Sequence, residues 1–238
     1  MEGRYLLSIK DIKETIEREK EDFLWERICE RLDGDRRTRV NLVRMPEKKA
    51  ACAGAGILLQ WAVQNQELQG QRTSGRGLQL LSLSDILTGL GNPISLQYSY
   101  GPRGKPYLRE QPFFFNLSHS GEYVVCALSD CEIGVDIQYQ RAQDSSRLAE
   151  RFFHIREKEL LEQAGTKEEY RDLFYKLWTM KEAYGKMTGE GITAVIGMDF
   201  SGINNVRMRE FTWEEYEDLK DYKIACCRRI PGKSGIWE

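Results

Sequence analysis

Phe113-Phe-Phe-Asn-Leu-Ser-His-Ser-Gly-Glu-Tyr-Val-Val-Cys-Ala-Leu-Ser-Asp-Cys-Glu-Ile-Gly-Val-Asp-Ile-Gln138 reads as three consecutive antiparallel strands. Its aromatic and β-branched runs are interrupted at Ser120-Gly121 and Asp130-Cys131, residues that favour turns. In the third strand, period-2 alternation puts Asp136 and Gln138 on one face and Val135 and Ile137 on the other. A lone aspartate near a strand end is ordinarily a turn or edge residue. Asp136 therefore acquires meaning only from its company.

That company lies about forty residues downstream, in Trp178-Thr-Met-Lys-Glu-Ala-Tyr-Gly-Lys186. Positions 178, 182 and 186 are spaced by fours, so Trp178, Glu182 and Lys186 rise along one side of a helix, a stripe able to hold a metal ion beside a phosphate. Taken alone, a Glu followed four residues later by Lys is a solvated ion pair worth a few tenths of a kcal/mol.

Working outward, Arg4 to Lys10 reads as a strand and Asp11 to about Arg31 as an amphipathic helix capped by Asp11. A second helix runs from Pro46 or Glu47 to about Asn65, and its Ala50–Gly56 run of small residues permits close approach of neighbouring backbone. Gln69 to Leu81 is polar and glycine-bearing, a mobile connection, and a short helix spans about Ser84 to Leu90. After the strand region, Asp144 to Gln163 reads as one helix with Leu148, Phe152, Ile155 and Leu160 on its apolar side. The motif helix starts near Lys167 and is broken by Gly189 and Gly191. Strands then follow at Val195–Phe200, Val206–Phe211 and Tyr222–Arg228. Tyr123–Ala127 and Tyr222–Cys226 are faintly alike, a weak hint of internal duplication.

The 238 residues suffice for one large domain or two small ones, and 41% hydrophobic with 30% charged residues describes a soluble globular chain. No apolar run approaches the roughly 20 residues needed to span a bilayer, and the N-terminus lacks a secretory pattern. A cytoplasmic location with no membrane partner is expected. The six cysteines show no Cys-x-x-Cys pair and no histidine at zinc spacing, so they read as reduced thiols. A net charge of -2 excludes wholesale attraction to nucleic acid. The stretch from Arg31 to Lys49 is nevertheless locally basic. It reads equally as a solvated connection or as a phosphate-binding cluster.

Six short pieces, in order and spacing, resemble the 4'-phosphopantetheinyl transferase superfamily, in its large, single-chain, surfactin-synthetase-activating type. They are Gly104-Lys-Pro-Tyr107, Phe115-Asn-Leu-Ser-His-Ser120, Ile133-Gly-Val-Asp-Ile137, Arg151-Phe-Phe153, Phe174-Tyr-Lys-Leu-Trp-Thr-Met-Lys-Glu-Ala183 with Lys186, and Gly189-Glu-Gly-Ile192. The resemblance implies an α+β fold of two similar halves, a pseudo-dimer in one chain, each an antiparallel sheet packed against a long helix. Residues 1–130 would bind the nucleotide of coenzyme A, residues 131–238 would carry the metal and catalytic motifs, and the active site would lie between them.

The implied reaction transfers 4'-phosphopantetheine from coenzyme A to a serine of an apo-acyl or peptidyl carrier protein, releasing adenosine 3',5'-bisphosphate. Magnesium is the implied cofactor, held by Asp136 and Glu182, because it takes oxygen ligands from one or two carboxylates plus substrate phosphates. Glu182 is also the implied proton acceptor, and Lys186 the group that stabilises the departing pyrophosphate. Lys181 would assist as a further contact to coenzyme A. Lys105, Ser118 and His119 match family positions that contact the coenzyme A phosphates, whereas His154 is structural or part of the carrier-docking surface. A monomer is expected.

Two departures stand out. The family's usual second acidic residue is replaced by Gln138, whose amide oxygen can ligate magnesium or hold a water but brings no charge. Ala51 stands where related chains offer an arginine to the nucleotide, leaving Arg44, Lys48 or Lys49 for that phosphate. The alternatives are a non-catalytic homologue that binds coenzyme A or a carrier, favoured only by Gln138, and a magnesium-dependent nucleotide hydrolase using the same ligands.

Overall fold

The computed structural model describes residues 2–17, 23–65, 77–109, 111–202 and 219–230, together with the backbone of 211–216. β1 (Glu2–Ser8) is followed by α1 (Lys10–Glu17), α2 (Phe23–Glu30), α3 (Gly34–Leu42) and α4 (Pro46–Gln64). Then come β2 (Gln79–Leu81), α5 (Leu83–Gly89), the hairpin of β3 (Tyr98–Tyr100) and β4 (Pro106–Leu108), and β5 (Phe114–Ser120), β6 (Tyr123–Ser129) and β7 (Ile133–Tyr139). α6 (Ser146–Phe152), α7 (Ile155–Glu162) and α8 (Lys167–Thr188) lead through a 3-10 turn at Ile192–Val195 to β8 (Phe211–Tyr216) and β9 (Tyr222–Arg229).

The first sheet has the order β2-β1-β6-β5. β1 and β6 are antiparallel along their whole length, from Glu2 opposite Ser129 to Ser8 opposite Tyr123, while β2 runs parallel to β1. α4 covers this sheet. Pro46 opens it at a position where the missing N–H costs nothing. Its glycines admit neighbouring side chains rather than the neighbouring backbone expected from the sequence: a Cβ at Gly54 would lie 2.6 Å from Ile9 Cγ2, and one at Gly56 2.5 Å from Leu32 Cδ2.

The second sheet has the order β7-β9-β8, with Ile133 opposite Arg228 and Tyr139 opposite Tyr222. α8 lies across β7 and β9. A capping box between Thr166 and Glu169 starts this helix, and Gly189, left-handed at φ 74°, ends it. At Gly134 the strand touches helix backbone directly, since a Cβ there would sit 2.0 Å from Ala183 O and 2.4 Å from Met187 N. That contact brings Asp136, two residues on, to the last turns of α8.

Several expectations are corrected. Only β5 and β6 form the predicted hairpin. Both edges of β6 are occupied, by β1 and β5, so β7 starts a new sheet with β9. The first sheet is mixed rather than antiparallel, because the predicted connection 69–81 ends in the parallel strand β2; its residues 69–76 lie outside the described ones. The helix predicted from Asp11 to Arg31 is described as α1 and α2, residues 18–22 falling outside. The basic stretch contains a helix, α3, capped by the Asp33 carboxylate on the Arg36 N–H at 2.9 Å. The helix expected over Asp144–Gln163 breaks at Phe153-His154, because His154 caps α7 and Glu157 reciprocates. As a result Leu148, Ile155 and Leu160 are exposed, and Phe152 alone of the four is buried. Val195–Phe200 is not a strand; Phe200 N–H donates to Glu157 Oε1 at 2.7 Å instead of to a neighbouring strand. Of Val206–Phe211, residues 206–210 lie outside the described ones.

The two sheets meet where β5 runs beside β7. Three β5 side chains, spaced by two, bridge the gap. Asn116 Oδ1 accepts from Val135 N–H at 2.9 Å, Ser118 Oγ donates to Asp136 Oδ1 at 2.8 Å, and Ser120 Oγ accepts from Tyr139 N–H at 2.9 Å. An alternating strand with polar residues on one face supplies those groups in register.

Candidate active site

Asp136 occupies the centre of this junction and is only 2% exposed. Its Oδ1 accepts from Ser118 Oγ at 2.8 Å and from Lys186 Nζ at 2.6 Å, while Lys186 also donates to Ser118 Oγ at 2.7 Å. Oδ2 accepts from Gln138 Nε2 at 2.8 Å. Three elements thus converge: β5 supplies Ser118, β7 supplies Asp136 and Gln138, and α8 supplies Lys186. The sequence reading named all four.

Glu182, one turn before Lys186, shares the electrostatics of this cluster. Burial raises its pKa above the usual carboxylate value, Asp136 repulsion adds to that, and the Lys186 ammonium opposes both. A carboxylate whose charge is opposed by burial and by a second carboxylate marks a place that favours a cation. His119 follows Ser118 on β5 and its ring reaches solvent. Partial burial and then Lys186 push its pKa below the ordinary histidine value, against the pull of Asp136.

Other predicted residues are not brought here. Lys181 is fully buried: its ammonium pairs with Glu157 at 2.9 Å, donates to Met198 O at 2.8 Å and lies 4.6 Å from the centre of the Phe200 ring. The expectation that Lys181 contacts coenzyme A is therefore corrected; it ties α7 and the 198–200 segment to α8. Lys105 is also turned inward, its side chain 5% exposed, paired with Glu132 and donating to Met187 O at 2.6 Å. Its ammonium is committed to protein groups and does not point to a phosphate site. Arg44 and Lys48 are exposed where α3 meets α4, and Lys49 lies 5.1 Å over the Trp25 ring; none of the three is among the hydrogen-bond partners of Asp136 described above. Trp178 packs among Phe152 and Phe174 instead of facing it.

Sequence reasoning missed the anionic partners. Glu157 was legible as the fourth residue of a His154-x-x-Glu capping box. No local signal marks Glu132 as the partner of Lys105. A cleft of about 890 Å³, lined by Gln143, Asp144, Ser145, Thr166 and Arg171 among others, opens at the start of α8 and shares no residue with the Asp136 cluster.

The donor set suits magnesium in kind. Asp136 and Glu182 are hard oxygen donors, few enough to leave room for phosphate oxygens and water. Lys186 already places a positive charge on Asp136, a stand-in for a cation at that oxygen. Among the described residues no group of three or more His, Cys, Asp or Glu is placed to hold a metal ion. Gln138 is turned toward Asp136. Its N–H donates to Asp136, as the reversed amide would set oxygen against oxygen, and so it orients the carboxylate in this structure.

Among the described residues no helix is long and apolar enough to cross a membrane. Residues 132–227, which contain Asp136, Glu182 and Lys186, match the family model of the 4'-phosphopantetheinyl transferase superfamily. The chain is 43% identical over 128 residues to the 4'-phosphopantetheinyl transferase HetI of Nostoc sp., an alignment covering 50% of this chain and 52% of that one. It is 37% identical over 150 residues to a 4'-phosphopantetheinyl transferase of Bacillus subtilis, covering 59% and 66%, and 40% identical over 100 residues to the 4'-phosphopantetheinyl transferase Sfp of Bacillus subtilis, covering 41% and 43%. The chain spans about half the length of the first of these relatives. With Asp136, Gln138, Glu182 and Lys186 inside the matched segment, this chain is similar to the 4'-phosphopantetheinyl transferase superfamily.

Proposed function

We propose that this chain transfers the 4'-phosphopantetheine group from coenzyme A to a serine hydroxyl of an acyl or peptidyl carrier protein, with magnesium as cofactor. The observation that carries the reading is the meeting of Asp136, Ser118 and Lys186, with Glu182 one turn away, at the junction of the two sheets. The halves 1–130 and 131–238 form a pseudo-dimer in this reading, with α4 and α8 as corresponding helices and the site between them.

Asp136 and Glu182 would hold the magnesium, which when bound neutralises the pyrophosphate of coenzyme A. Glu182 takes the proton of the carrier serine as the bond from serine oxygen to phosphorus forms and the phosphorus–oxygen bond to the nucleotide breaks. A carboxylate whose pKa is raised is a stronger base than an ordinary one, which suits that role. Lys186, 28% exposed, donates to the oxygen that acquires charge as adenosine 3',5'-bisphosphate departs. Ser118 and His119 face the nucleotide phosphates. Gln138 keeps Asp136 oriented and leaves its own amide oxygen for a bound water.

The test is to incubate the protein with coenzyme A, magnesium and an apo-carrier domain, and then weigh the carrier. A gain of the phosphopantetheine mass supports transfer. Breakdown of coenzyme A without that gain identifies a hydrolase, and neither change identifies a binder without catalysis.

A further inference from the structure

The β3–β4 hairpin extends to the C-terminal end of α8, and two cations at its end contact the helix and the loop that follows. Lys105 donates to Met187 O at 2.6 Å and Ile133 O at 3.4 Å, besides its pairing with Glu132. Its stem lies under Gly189, where a Cβ would come 3.2 Å from Lys105 Cδ. Arg103, at the exposed turn, donates to Glu190 O at 2.9 Å and Thr193 Oγ1 at 3.3 Å. The loop it holds folds back on the helix, because Gly191 N–H donates to Gly185 O at 3.0 Å. A Cβ at Gly185 would lie 2.6 Å from Gly191 C, so helix and loop meet backbone to backbone.

The last carbonyls of a helix lack helical donors and carry its negative dipole end, so ammonium and guanidinium groups satisfy them well. Met187 directly follows Lys186. Fixing the Met187 carbonyl and the loop over Gly185 fixes the backbone on both sides of Lys186, whose ammonium must reach Asp136 from there. We propose that Lys105 and Arg103 are positioning residues: the β3–β4 hairpin clamps the last turn of α8 and holds Lys186 at its place over Asp136. This assigns Lys105 a role through the helix and not through a coenzyme A phosphate. The kinetic part of the test rests on the proposed transfer reaction, and the exchange part does not.

The experiment compares the full chain with Arg103→Ala, Arg103→Lys and Lys105→Met. Amide hydrogen exchange over residues 183–193 is measured alongside kcat and the KM for coenzyme A in carrier modification. Faster exchange there in Arg103→Ala and Lys105→Met, with kcat down roughly tenfold, KM within about twofold of the parent, and recovery in Arg103→Lys, supports the clamp. A KM for coenzyme A raised roughly tenfold at unchanged kcat overturns it in favour of direct nucleotide contact. Unchanged exchange overturns it too, and so does faster exchange with parental kcat and KM. If Lys105→Met fails to fold, as its thermal melt will show, Arg103→Ala decides on the same criteria. If the parent transfers nothing, the functional reading fails, and exchange in Arg103→Ala alone decides whether the hairpin clamps the helix.

Discussion

Adding one methyl group at Gly134 tests whether strand–helix contact sets the site. A Cβ built there falls 2.0 Å from Ala183 O, 2.4 Å from Met187 N and 2.9 Å from Met187 Cα, all backbone atoms that no rotamer change can move. Since Cβ contacts under 3.0 Å are essentially never seen, the 2.0 Å contact must open by at least the difference, 3.0 minus 2.0, or 1.0 Å. Overpacking of this kind costs about 1–3 kcal/mol. Asp136 rides on the same strand and Lys186 on the same helix turn, so their 2.6 Å contact widens with the gap. A displacement of about 1 Å in a reacting constellation can cost on the order of 10²-fold in rate. Gly134→Ala is therefore expected to retain its fold, to unfold at lower urea, and to modify an apo-carrier about a hundredfold more slowly. Gly34→Ala is the control, because a Cβ at Gly34 meets nothing within 4 Å. Carrier mass against time gives the rate, and urea melts give the stability. A folded Gly134→Ala protein with a parental rate would show that this contact does not set the geometry of Asp136 and Lys186.

Glu182→Gln is expected to lower turnover by about a hundredfold without lowering stability. A carboxyl whose folded pKa is raised above its unfolded value disfavours folding increasingly as pH rises through that interval, so the amide removes a penalty present at neutral pH; a urea midpoint below the parent's at pH 7 would contradict this. Lys181→Met leaves Glu157 charged and unpaired in a buried site, at a cost of about 3–5 kcal/mol in urea titration, with coenzyme A affinity unchanged by calorimetry. Weakened affinity at parental stability would restore Lys181 to the nucleotide site. Gln138→Glu places a second carboxylate beside Asp136 and should reach half-maximal rate at lower magnesium, while Gln138→Ala stays active; identical magnesium titrations would mean that position 138 does not influence the metal.

The site was legible where local periodicity determines direction. Alternation alone placed Asp136 and Gln138 on one strand face, and they are joined by a hydrogen bond. Fourfold spacing placed Glu182 near Lys186 on one helix side. The same spacing misled at Trp178, because four residues advance a helix by about 400°, so each step drifts about 40° and carries Trp178 into the aromatic cluster by Phe152. Strand pairing was not legible: β7 joins β9, almost ninety residues away in sequence, because β6 had no free edge. The buried ends of Lys105 and Lys181 were hidden for a similar reason. A lysine in a motif looks the same whether it meets a phosphate or a carboxylate brought from another element.

The side-chain bridges from β5 to β7 have a mechanical consequence. A backbone ladder is indifferent to residue identity and opens cooperatively, whereas a seam stitched by Asn116, Ser118 and Ser120 can be undone one stitch at a time. Its middle stitch ends on Asp136 Oδ1, the oxygen that Lys186 also holds. Any ligand that takes this oxygen competes with Ser118 for it. Cohesion between the sheets and occupancy of the site therefore draw on the same atom, and a tightly bound ligand there must also act as a fastener in place of the stitch it removes.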